Sequence, residues 1–384
     1  MRTNRLLFVG VLLASSTVAC GAILGFPDET NVDPNFGQTD GGGPDVTLPD
    51  GVAPDGSIPD GSTADSPFPT DAPVVSPDGA CNCFGGTCNG DVCQPVAIVV
   101  GKTDPNFIDT DNTTVFFASG VDTIFAVDPN NVDAGARTIT NVLEPSINDL
   151  RARSGYVYFT NKGSGNLNSV SRCSGALGCA KDRSEYGTNN RKNFGVAVDA
   201  TNVYFTVADT QANNGGIWKC AQIGCAGAVR IVSRDYPGFV VTDGTNLAWL
   251  DGNTPTTGTS TTSGANFHKG VELALVDLAF GTTSDIYFVK SSELWHQVGT
   301  TESQIGGGVS NGVAVRADAS YVYWLNGGTP GTLVRCPVGV NCLAPPSQAT
   351  TLASNLQNPF GLALSNDSVY FTTRGDLKVW RLRK

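Results

Sequence analysis

The sequence predicts an all-β fold assembled from seven repeats of one four-stranded antiparallel unit, and three observations predict it. A hydrophobic-aromatic triplet recurs through the body of the chain, as Val115-Phe116-Phe117, Val157-Tyr158-Phe159, Val203-Tyr204-Phe205, Leu247-Ala248-Trp249, Ile286-Tyr287-Phe288, Val322-Tyr323-Trp324 and Val369-Tyr370-Phe371. The central residues stand 42, 46, 44, 39, 36 and 47 positions apart, a period near forty that accommodates four short strands and their turns. The chain also carries 46 glycines and only 15% charged residues, and strong helical periodicity is hard to find beyond about the first twenty positions. Such units bury both sheet faces only against neighbours, so they close into a ring, a seven-bladed β-propeller from Val96 to Lys384.

The amino terminus reads as an export signal. Arg2 and Arg5 precede an uncharged apolar run, Leu6 to Ala19, whose 14 residues are too few to span a bilayer comfortably. The run ends at Thr17-Val18-Ala19-Cys20, followed by Gly21. This resembles the lipobox of bacterial lipoproteins, although that family usually has leucine where Thr17 stands. The resemblance implies removal of residues 1–19, a lipid on the sulfur of Cys20 and an acylated new terminus. With Gly21 rather than aspartate after the cysteine, it also implies a lipid-anchored protein of the bacterial outer membrane. Ordinary signal-peptidase cleavage near Ala22, giving a soluble secreted chain, is the rival reading.

Residues 20–80 are expected to be a disordered tether. From Asp28 to Gly79 the chain is Pro, Asp, Gly, Ser and Thr with hardly an aromatic residue, and Pro-Asp-Gly recurs at Pro49, Pro54, Pro59 and Pro77. Such a stretch buries too little apolar surface to offset its chain entropy. It would reach about 200 Å fully extended and roughly 40–50 Å as a relaxed coil. Twelve of the 35 acids lie between Cys20 and Val96, so the net charge of −11 belongs to the tether and the body is nearly neutral. That excludes a basic nucleic-acid face. One carboxylate per repeat is also too sparse for calcium loops.

Eleven cysteines less the lipidated Cys20 leave ten, an even number in an exported protein. Cys81, Cys83, Cys88 and Cys93 fall within a small knot, residues 81–95, for which three disulfide connectivities are open. A four-thiolate zinc site there is disfavoured by an oxidising compartment and by the spacing. Cys173 with Cys179, Cys220 with Cys225, and Cys336 with Cys342 each close a loop short enough to be a hairpin tip. No metal and no cofactor are expected.

The third repeat displays the blade most completely: Gly195 to Asp199, Asn202 to Thr206, Gly216 to Ala221 and Ala228 to Ser233 alternate with turn residues. Val322-Tyr323-Trp324-Leu325-Asn326 and Val157-Tyr158-Phe159-Thr160-Asn161 resemble the second strand of YWTD-like and NHL-like propellers, a likeness of pattern from Val96 onward. The aromatic residues are expected to fill the space between blades rather than to form a sugar platform. The last repeat supplies three strands, Phe360 to Ser365, Ser368 to Thr373 and Lys378 to Arg383, and then the chain stops. An unpaired edge there is a liability, so Val96 to Val100 is expected to cross over as the outermost strand, antiparallel to Lys378–Arg383, with the cysteine knot beside that blade.

Aligned third strands place a cation-capable residue at one repeat position: Arg172, Lys219, His268, His296, Arg335 and Arg381. The first repeat breaks the series with Ala126. The aliphatic stems would cover neighbouring aromatics; a basic girdle facing an anionic ligand is the alternative. The only two histidines are thus scaffold substitutes, which leaves little for acid-base chemistry. Gluconolactonase-like and streptogramin-lyase-like propellers bind a divalent metal or use histidine at the channel mouth. Here only Glu144, Asn148, Asp149 and Asn311 lie near the inner-strand ends, with no spacing that ties them together. No catalytic residue is assigned, and a metal-dependent propeller lactonase or lyase is the alternative. The expectation is a monomeric binding or scaffold module of the cell envelope, held to the membrane through Cys20 and recognising an unidentified protein or glycan.

Overall fold

In the computed structural model the described residues are 83, 87–89 and 92–384, apart from 141–145, 162–168, 189–191, 209–214, 226, 235–236, 252–255, 262–267, 270–274, 283–284, 291–292, 308–311 and 344–346. The chain divides into units of residues 1–69 and 70–384, and every described residue lies in the second. The expected signal peptide, the tether, Cys20 and Cys81 fall outside the described residues, as do the side chains of Cys88 and His268.

The described residues form seven four-stranded antiparallel sheets and a two-stranded ribbon, Cys88–Asn89 with Val92–Cys93. Six sheets use four consecutive strands, and the seventh takes its fourth from Val96–Val100. The first strands are Pro105–Thr110, Ile147–Arg153, Lys192–Val198, Pro237–Thr242, Leu275–Phe280, Gly312–Ala317 and Pro359–Leu364. They touch one another in order round a ring, the last against the first. The architecture is a β-propeller whose blades are numbered here in the order of those strands.

Alternation within the triplets builds the blade interfaces. In the second blade Val157 and Phe159 belong to the buried cluster shared with the first blade, whereas Tyr158 belongs to the cluster shared with the third. Successive side chains of a strand point to opposite faces, so one triplet feeds two interfaces. Seven buried clusters result, one between each successive pair of blades. Among the described residues the twelve largest fully buried side chains all come from the triplets, and each contributes about 2–3 kcal/mol through burial. The aromatic residues are therefore core.

Val96–Val100 closes the ring as expected. It runs antiparallel to Lys378–Arg383, with Val96 opposite Arg381 and Val100 opposite Lys378. Ile98 and Val99 are buried in the cluster shared by the seventh and first blades. The Cys83–Cys93 disulfide sits in the cluster between the sixth and seventh blades, beside the closing strand. Every described strand and disulfide lies within residues 83–384, so the ring closes on its own strands.

Three further disulfides, Cys173–Cys179, Cys220–Cys225 and Cys336–Cys342, clamp the hairpins between third and fourth strands of the second, third and sixth blades. Each hairpin leans back over the preceding blade. Arg137 of the first blade donates to Ala176 O at 2.8 Å. Gln222 O accepts Tyr186 Oη at 2.7 Å and Arg172 Nη1 at 3.2 Å from the second blade.

One alignment from the sequence is corrected. The third strand of the fourth blade is Thr256–Thr261, and His268 lies on the fourth strand, His268–Lys269. The residue opposite Ala248 is Thr259, and His268 is one strand further out, opposite Thr259. A threonine run has strand propensity without an apolar alternation to mark it.

Candidate functional site

The ring has an upper face, where the first strands begin, and a lower face, where first and third strands end. In all seven blades the pairing of first and second strands shifts register near the start of the first strand. A bulge of this kind frees a residue from the ladder and re-aims its side chain. In three blades a phenylalanine stands there behind a proline: Pro105-Asn106-Phe107, Pro237-Gly238-Phe239 and Pro359-Phe360.

These rings converge at the axis. Phe107 and Phe239 have centroids 6.2 Å apart although they belong to the first and fourth blades, which do not adjoin, so the two rings meet across the channel. Phe360 of the seventh blade packs edge-on against Phe107 at 5.5 Å. The Arg374 guanidinium lies over Phe360, 3.6 Å from the ring centroid, and its Nε pairs with Asp104 at 3.1 Å. All three phenylalanines are half-buried. The upper mouth thus carries an apolar platform rimmed by one ion pair.

Charged side chains occupy the same channel. Asp149 accepts Arg151 Nη1 at 2.6 Å, the Leu150 amide at 2.9 Å and the Val196 amide of the next blade at 2.9 Å. Asp277 stands at the matching position of the fifth blade. It accepts the Leu278 amide at 2.9 Å, and from the sixth blade the Val315 amide at 3.0 Å and Arg316 Nη1 at 2.6 Å. Asp109 Oδ2 accepts the Ala152 amide of the second blade at 2.9 Å. These acids stitch inner strands together across blade boundaries.

Burial outweighs the favourable partners at two of these acids. Desolvation pushes the Asp149 carboxyl up to about 6 despite Arg151 and two amides, and burial likewise raises Asp109. The Arg316 charge of the sixth blade also favours the ionised forms of Asp109 and Asp149, so charges on separate blades act on one another in the channel.

The cation position noted in the sequence lies elsewhere, on third strands opposite the second-strand centres. Arg172 faces Tyr158, Lys219 faces Tyr204, His296 faces Tyr287, Arg335 faces Tyr323 and Arg381 faces Tyr370. Where the centre is not tyrosine there is no cation: Phe116 faces Ala126 and Ala248 faces Thr259. The side chains lie along aromatic rings and into neighbouring blades. Arg172 and Arg335 guanidiniums sit 4.4 Å from the Tyr156 and Tyr321 centroids. Lys219 Nζ is 5.7 Å from the Tyr204 centroid. His296 stacks on Tyr287 at 4.5 Å with Nε2 2.5 Å from Asp285 Oδ2. Arg381 Nη1 reaches Pro129 O of the first blade at 2.9 Å.

Of the residues named near the inner-strand ends, Asp149 enters the channel network and Asn148 Nδ2 donates to Asn193 O at 3.1 Å. Glu144 and Asn311 lie outside the described residues. Phe107, Phe239, Phe360, Asp109, Asp277, Arg151 and Arg316 were not singled out in the sequence. The proline two residues or one before a phenylalanine at a strand start was the available signal for the first three. Among the described residues no group of three or more His, Cys, Asp or Glu side chains is placed to hold a metal ion.

No protein-family model and no curated protein matches the chain. Solved structures do match. Virginiamycin B lyase from Staphylococcus aureus is 17% identical over 76% of this chain and 98% of that one, with a TM-score of 0.58. YCF48 from Cyanidioschyzon merolae is 11% identical over 76% and 99%, with a TM-score of 0.56. A structure of YCF48 bound to a peptide is 8% identical over 76% and 94%, with a TM-score of 0.53. At these identities the likeness is one of fold. Since one neighbour is an enzyme and another is a peptide complex, the fold leaves enzymatic status open.

Proposed function

We propose that this chain is a lipoprotein of the bacterial cell envelope, anchored through Cys20, that displays its propeller as a binding module with the ligand seated at the upper mouth. The observation that carries the reading is the convergence of Phe107, Phe239 and Phe360 from three separate blades. Phe107 and Phe239 pack against the edges of two blade-interface clusters, and all three rings still leave part of their surface exposed. An apolar platform at the upper end of the channel axis, with the Arg374–Asp104 pair at its edge, fits a ligand that offers an apolar or aromatic face and one polar group. The channel acids support binding over catalysis, because Asp149 and Asp277 are each engaged by two amides and a guanidinium.

A propeller lactonase or lyase is the second reading, and the raised Asp149 carboxyl favours it, since a perturbed acid in a channel is a common mark of an active site. One experiment addresses both. The purified chain would be screened against immobilised envelope glycans and peptides, and any captured species incubated with protein and analysed by mass spectrometry. Binding that falls at least about tenfold in a Phe107→Ala/Phe239→Ala variant, with the ligand recovered intact, supports the binding module. Ligand recovered cleaved, with cleavage lost in Asp149→Asn, supports the enzyme.

A further inference from the structure

The hairpins between third and fourth strands end at the lower face, and each one that is described carries a solvent-exposed large aliphatic residue. They are Val132 in the first blade, Leu177 in the second, Ile223 in the third, Val298 in the fifth and Leu343 in the sixth. Ile223 is 83% exposed and Leu177 57%, at the tips of loops closed by Cys220–Cys225 and Cys173–Cys179. Single exposed apolar residues are ordinary on protein surfaces. Recurrence in the third-to-fourth-strand hairpins of five blades, with disulfides closing the two loops that carry Ile223 and Leu177, is not.

The direction of the closing strand supplies a second observation. Val96 pairs with Arg381 near the end of a third strand and Val100 with its beginning, so Val96–Val100 runs from the lower face to the upper one. The amino-terminal segment therefore joins the ring on the lower face, the side that bears the aliphatic tips. Nearer the axis that face presents the turn aspartates Asp111, Asp199, Asp243 and Asp318, each capping a backbone amide in the turn between first and second strands.

We infer that the lower rim is a lipid-contacting surface, on which the aliphatic tips enter the interface of a bilayer that the amino-terminal segment approaches from the same side. Five aliphatics spread round a rim give a weak contact, which suffices when a tether keeps the local lipid concentration high. The proposal takes its setting from the anchoring proposed above, but the contact itself does not require the lipid on Cys20.

The test uses the chain from Gly21, which carries neither the apolar run nor an acyl group, sedimented with phosphatidylcholine vesicles. The bound fraction should fall about fivefold in Leu177→Glu/Ile223→Glu and stay unchanged in Val121→Glu, an exposed site on the upper face. Ile223→Glu alone guards against misfolding of the pair and should show a partial loss. No sedimentation at about 5 mM lipid, or equal sedimentation of all variants, overturns the proposal. A dimer in sedimentation velocity that the double variant abolishes, without vesicle binding, overturns it in favour of contact between copies. Fatty-acid labelling at Cys20 is read separately, so loss of the anchor leaves this result intact.

Discussion

Val96 is the backbone partner of Arg381, whose guanidinium in turn donates to Pro129 O and Asn130 Oδ1 of the first blade. One residue thus ties together the amino-terminal strand, the carboxy-terminal strand and the blade that follows across the seam. Removing residues through Gly101 takes away the fourth strand of the seventh blade and the buried Ile98 and Val99. Removing residues through Gly79 takes away no described strand. The longer truncation should therefore lower the melting temperature by well over ten degrees or abolish folding, and the shorter one should leave it within a few degrees, as measured by calorimetry. Equal melting of the two would refute the closure.

Asp149 predicts a pH dependence of definite sign. Its carboxyl is near 6 in the folded chain and at the ordinary 3.8 when unfolded, so the folded state holds more protons between those values. Its contribution to stability is full below about pH 4, declines as pH rises to about 6 and is flat above. Asp149→Asn lacks this titration. The stability advantage of wild type over Asp149→Asn in urea melts should shrink by about 2 kcal/mol between pH 4 and pH 7. Asp111, Asp199, Asp318 and Asp367, whose carboxyls are lowered, act in the opposite sense but are common to both chains and cancel. An advantage that grows with pH would contradict the assignment.

Much of the fold was legible in the sequence because it is written locally and repeated. The alternation in Val157-Tyr158-Phe159 states which side chain faces which neighbour, and a three-stranded last repeat calls for Val96–Val100. The channel mouth was not legible in the same way. Phe107, Phe239 and Phe360 look like any apolar residue at a strand start. Only the bulges beside them and the closure of the ring bring the first, fourth and seventh blades together at the axis. Asp149 and Asp277 occupy matching positions, but their partners Val196 and Val315 lie in the next blade, beyond any local pattern. The basic series was half legible: five members face a tyrosine, and the sixth, His268, was drawn into line because a threonine strand gave no apolar signal.

Lipidation of Cys20 makes a prediction independent of the propeller. Cells fed a clickable fatty acid should yield labelled protein, and Cys20→Ala should lose the label and release the chain from the membrane fraction. Label that survives the substitution, or a wild-type chain wholly in the soluble fraction, would favour cleavage near Ala22.

The seam between the last and first blades should also be sensitive to changes of a single atom group. Thr372 Oγ1 donates to Asn106 O of the first blade at 2.9 Å and accepts the Gly361 amide at 2.8 Å, and all of this is buried. Thr372→Val preserves the volume and leaves both backbone groups without that partner, at a cost of about 1–3 kcal/mol. Gly361 is constrained more severely. A Cβ placed on it would come within 2.2 Å of Asn106 O and 2.8 Å of Ile108 Cγ2, and the first of these is backbone that cannot swing aside. Gly195, at the corresponding point of the third blade, faces the fourth blade's backbone at 2.7–2.8 Å in the same way. At the centre of the ring the inner strands approach so closely that a methyl group has no room. Gly361→Ala should therefore destabilise more than Thr372→Val, whereas Gly227→Ala, where nothing lies within 4 Å, should be nearly neutral. Urea melts of the three variants measure this ordering directly, and a Gly361→Ala chain as stable as Gly227→Ala would mean that the seam is looser than these distances state.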